Sequence, residues 1–75
     1  MVWNYRVIDL AEENNGEPCL KICEVYYPQS TLDKPDGYAN ATVMGETYAE
    51  LCEELRRMTE ATLKPILTLK DGKLF

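Results

Sequence analysis

The sequence contains no histidine. It therefore lacks the commonest general base and metal ligand, and neither a Ser-His triad nor a histidine-bearing zinc site can be assembled from it. Cysteines are few and odd in number. Cys19, Cys23 and Cys52 cannot all pair within one chain, which points to three structural thiols in a reducing compartment. Cys19 and Cys23 stand four apart in a stretch that reads as a strand, about 13 Å from one another at ~3.3 Å per residue, beyond disulfide reach. No pair of cysteines has the two-residue spacing of a zinc knuckle. Long apolar runs are also missing: Met1 to Leu10 alternates and carries Asn4, Arg6 and Asp9, so it is neither a signal-peptide core nor a membrane span. Basic residues number 8 against 13 acidic ones, for a net charge of −5. That balance disfavours nucleic acid, whose binding needs concentrated Lys and Arg, and makes a basic protein the better-matched partner. The expectation is a cytoplasmic, non-enzymatic protein with no catalytic residues, cofactor, metal, nucleic-acid partner or membrane contact.

What remains is globular material. With 45% hydrophobic residues the chain is too apolar for a disordered tail, and 75 residues suffice for one small domain over 1–75 and not for two. Met1 to Asp9 predicts a strand with Trp3, Tyr5 and Val7 on its stronger core face. Asn15-Gly16 marks a turn, and Cys19 to Tyr27 predicts a second strand in hairpin with the first. Pro28 to Gly37 is the longest loop, and its Ser30 and Thr31 have no base to activate them. Tyr38 to Met44 predicts a weaker third strand. Thr47-Tyr48-Ala49-Glu50 is a capping box, so a helix begins at Tyr48. Its apolar stripe is Tyr48, Leu51, Cys52, Leu55 and Met58, and Pro65 halts it near Leu63. Ile66 to Leu69 is a fourth strand or an extended tail, followed by the turn Asp71-Gly72.

Candidate chemistry is thin. Glu12, Glu13 and Glu17 flank a turn without the ligand pattern of a calcium loop and read as a solvated loop. Trp3, Tyr5, Tyr26, Tyr27 and Tyr38 all fall on strands, as in a base-stacking platform, but the net acidity favours core or interface packing.

The segments Met1-Val2-Trp3-Asn4-Tyr5-Arg6-Val7-Ile8, Glu24-Val25-Tyr26-Tyr27 and Gly45-Glu46-Thr47 resemble a group of short, uncharacterised bacterial proteins across nearly the whole chain. This likeness implies a bacterial origin and no particular activity. The three strands followed by Gly45-Glu46-Thr47, a helix and a short strand also resemble the N-terminal domain of HicB-type antitoxins. That second likeness implies an inhibitor whose acidic surface covers a basic toxin.

The fold class expected is α+β: a three-stranded antiparallel sheet followed by one helix on one face, β-β-β-α, with a possible short fourth strand at the C-terminus. One helix covers one sheet face, so it can bury only one of the sets Leu20, Ile22, Tyr26 and Cys23, Val25, Tyr27. Leu20, Ile22, Val25, Tyr26 and Tyr27 are accordingly the candidate interaction residues, and a two-fold homodimer is the expected assembly. The segment Ile66 to Phe75 is the alternative cover within one chain.

Overall fold

The computed structural model describes residues 2–28 and 34–75. Much of the loop expected between Pro28 and Gly37 lies outside them, including Ser30 and Thr31. Strand β1 spans Val2–Asp9, β2 Leu20–Tyr27, β3 Gly37–Asn40, β4 Leu67–Lys70 and β5 Lys73–Leu74, and helix α1 spans Tyr48–Ala61. The class is α+β, as expected. The described sheet, however, has five strands in the order β3-β2-β1-β4-β5, where three and a possible C-terminal fourth were expected, and it is mixed because β4 runs parallel to β1.

Local chemistry accounts for the connections. Asn15 and Gly16 adopt φ of 55° and 82°, and Asp71 and Gly72 adopt 52° and 74°, the left-handed geometry that short polar residues and glycine tolerate. Asn15-Gly16 helps turn the β1–β2 connection, and Asp71-Gly72 closes the β4–β5 hairpin. A short 3-10 turn, Ala11–Glu13, follows β1. The Glu12 carboxylate accepts the backbone N–H groups of Asp71 and Gly72, so it ties this turn to the hairpin instead of standing free in solvent.

Thr47 caps α1: its Oγ1 accepts from the Glu50 N–H at 3.1 Å. The Glu50 carboxylate returns to the N–H of Glu46 at 2.9 Å, one residue before the expected Thr47. Strand β3 ends at Asn40 and not at Met44, because the chain must leave the sheet to bring Gly45 against the first turn of α1.

The register places Trp3 opposite Tyr26, Tyr5 opposite Glu24 and Val7 opposite Ile22 on one face. Helix α1 packs on that face, chiefly on β1, through Met58 and Ala61 against Tyr5, Val7 and Ile22. The larger core lies on the opposite face, where Ile8, Cys23, Val25 and Tyr27 are fully buried. This reverses the expectation that the Trp3 face would be the stronger one. Leu67, Leu69 and Leu74 supply the cover, so the C-terminal hairpin closes the second face within one chain. Tyr27 is buried with its hydroxyl satisfied: it donates to Asn4 Oδ1 at 2.9 Å and accepts from Arg6 at 3.5 Å.

Candidate functional site

The described residues contain no group of three or more His, Cys, Asp or Glu side chains able to hold a metal ion. All three cysteines are free. Cys23 is buried, and desolvation pushes its thiol above the ordinary range. Cys52 is exposed on α1, contrary to the sequence expectation that it would share the buried face of the helix.

The strand aromatics do not form a flat platform. Tyr5 and Tyr27 are buried on opposite faces. The hydroxyls of Tyr26 and Tyr38 donate to Glu24 and Glu13. Those hydrogen bonds raise both phenol pKa values, that of Tyr38 to about 12, because each carboxylate favours the protonated phenol.

The structure separates the five candidate interaction residues. Val25 and Tyr27 belong to the core, whereas Leu20 is 60% exposed and Ile22 and Tyr26 are half-buried. Any surface built on β2 is confined to Leu20, Ile22 and Tyr26. Leu20 and Ile22 join Val7, Thr62 and Ile66 in lining an apolar depression of about 350 Å³ beside the end of α1.

The helix adds a second exposed apolar region. Tyr48, Cys52 and Leu55 recur at spacings of four and three, so they share a flank, and Leu63 lies just beyond the helix end. Tyr48 is 82% exposed, Leu55 47% and Leu63 83%. Sequence periodicity placed Leu51 and Leu55 together in the core, but the helix is rotated so that Met58 and Ala61 face the sheet, with Leu51 only half-buried. In that orientation the Tyr5 hydroxyl donates to Glu54 Oε2 at 2.5 Å and ties that edge of the helix to β1.

Two grooves with charged linings run beside α1. One of about 610 Å³ is lined by Tyr5, Met44 and four glutamates, Glu24, Glu50, Glu53 and Glu54, with Arg57 as its cation. The Arg56 hydrogen bond lowers the Glu53 carboxyl below the usual carboxylate range. The other, of about 430 Å³, lies between the start of β1 and the second half of α1, with Trp3 and Tyr5 below Arg56, Arg57, Glu60 and Lys64. No sequence motif marks either groove, since both arise from the crossing of α1 over β1.

The described residues contain no helix long and apolar enough to cross a membrane. Compared with family models, curated proteins and solved structures, the chain matches none.

Proposed function

We propose that the protein is a small non-enzymatic interaction module that self-associates. The observation that carries this reading is the exposed flank of Tyr48, Cys52, Leu55 and Leu63, together with Leu20 and Ile66 around the apolar depression. Exposed apolar surface of this kind marks interaction sites on soluble proteins. The second sheet face has its own cover in the C-terminal hairpin, so the helix flank, and not Leu20, Ile22, Val25, Tyr26 and Tyr27 together, is the surface proposed for association. Sedimentation at tens of micromolar tests the reading. A mass of twice 8.6 kDa that falls on dilution, and that Leu55→Glu reduces to the monomer, is the expected result. A concentration-independent 8.6 kDa species would refute self-association.

A second reading, an antitoxin-like inhibitor of a basic protein, is favoured by the groove of Glu24, Glu50, Glu53 and Glu54. The described element order is β-β-β-α-β-β, one strand more than that likeness implies. Co-elution with a basic protein from lysate, lost in high salt and in Glu50→Lys, supports this reading. Co-elution unaffected by both changes counts against it.

A further inference from the structure

The register of the sheet exposes a strand edge. The Leu10 N–H bonds the Cys19 carbonyl at 2.8 Å and sets the phase of the β1–β2 ladder. By the alternation of an antiparallel pair, Val2, Asn4, Arg6 and Ile8 turn their backbone groups toward β2, and Trp3, Tyr5 and Val7 turn theirs away. On that outer side β4 pairs only with Ile8 and Asp9. Extending the register from Ile8 opposite Leu67 brings Arg6 level with Pro65, which has no N–H to donate, so the parallel ladder cannot continue. The Pro65 carbonyl instead accepts from the Arg6 guanidinium at 2.6 Å, which fixes the chain where it leaves β1. Among the described residues, the outward N–H and C=O groups of Trp3 and Tyr5 therefore have no strand beside them.

Free edges are normally protected by charge, proline or brevity. Strand β5 has two residues and is flanked by Lys70, and β3 has four residues including Gly37. Within Val2-Trp3-Asn4-Tyr5 itself there is no charged residue or proline, and Trp3 is 44% exposed. Beside it stand Arg56, Arg57 and Lys64, three of the chain's eight cations, with Glu60 as the acidic residue of the groove lining. Arg56 is held by Glu53 and Glu60, whereas Arg57 meets Glu53 and Glu54 only at 3.6 Å. On a chain of net charge −5, this groove brings three cations together.

We infer that the free edge of β1 binds an extended, acidic peptide segment of a partner protein by strand addition. The backbone of the segment pairs with Trp3 and Tyr5, and its alternate side chains, on the α1 face, place carboxylates at Arg57 and Lys64. Unlike the self-association reading, this inference rests on the register and the cations of one groove and does not need a second copy.

The probe is a seven-residue peptide of alternating valine and glutamate, with the valine–lysine counterpart as control, added to the full chain at 50 mM and 300 mM salt. Saturating acidic peptide should slow amide exchange at Trp3 and Tyr5 at least tenfold, leave Asn4 unchanged and shift the emission of Trp3, the single tryptophan. Lys64→Glu and Arg57→Glu should each weaken binding at least tenfold, and so should the higher salt. Equal binding of the lysine peptide, or binding without protection of Trp3 and Tyr5, would overturn the inference. It would also fail if the Trp3 and Tyr5 amides were protected without peptide and lost that protection on dilution, because a second copy would then hold the edge. A chain that is monomeric by sedimentation yet binds the acidic peptide refutes self-association alone.

Discussion

The Tyr5 hydroxyl donates to the Glu54 carboxylate across 49 positions of sequence and joins the middle of β1 to the middle of α1. Burial and that hydrogen bond together push the Tyr5 phenol from 10.0 to about 12. A folded-state pKa above the unfolded one gives stability that is complete below pH 10 and is lost as pH rises toward 12. Tyr5→Phe should cost about 1 kcal/mol at neutral pH. It should also flatten the loss of stability between pH 10 and 12, measured by urea unfolding at each pH. An alkaline profile identical in wild type and Tyr5→Phe would show that another group controls it.

Gly45 lies against the start of α1. A Cβ built on it would stand 2.7 Å from the Leu51 backbone nitrogen and 3.0 Å from the Glu50 carbonyl carbon. Backbone cannot swing aside as a long side chain can, so Gly45→Ala should destabilise by about 1–3 kcal/mol, as overpacking does. Gly37→Ala meets nothing within 4 Å and serves as the control. Equal urea midpoints for the two variants would mean that Gly45 is not pressed against the helix.

Signals confined to a few residues were legible in the sequence. The Thr47 cap, the Asn15-Gly16 and Asp71-Gly72 turns and the β1–β2 hairpin all follow from side-chain chemistry acting on the adjacent backbone. The parallel placement of β4 beside β1 was not legible, because it depends on where α1 delivers the chain after crossing the sheet. Helix rotation was hidden for a similar reason. The apolar stripe of α1 is wider than the surface β1 offers it, and the choice falls to small Ala61 and to the Tyr5–Glu54 bond, neither of which periodicity weighs. The β1 edge groove depends on the same crossing and on the register of Pro65, so it too is absent from any local pattern.

That rotation has a measurable consequence. Met58→Ala removes a buried side chain and should cost about 2–5 kcal/mol, whereas Leu55→Ala on the exposed flank should change monomer stability by about 0.5 kcal/mol or less. Thermal unfolding at low micromolar concentration keeps association out of the comparison. A larger loss at Leu55 than at Met58 would restore the face assignment that periodicity suggested.

The three thiols report on both surfaces of the fold. Cys52 is exposed and should react with an aromatic disulfide reagent as a free peptide thiol does. Cys23 has no accessible surface, and its burial holds the thiol protonated, so it reacts only when β2 leaves the core. For a domain stable by about 5 kcal/mol, that opening slows labelling roughly 10³- to 10⁴-fold relative to Cys52. Cys19, half-buried beside the Ala11–Glu13 turn, should fall between them. If the flank of α1 is the self-association surface, Cys52 labelling also slows as protein concentration rises, while Cys23 labelling does not speed up. Labelling of Cys23 at the Cys52 rate would place the inner face of β2 in solvent and remove the core formed by Ile8, Val25 and Tyr27.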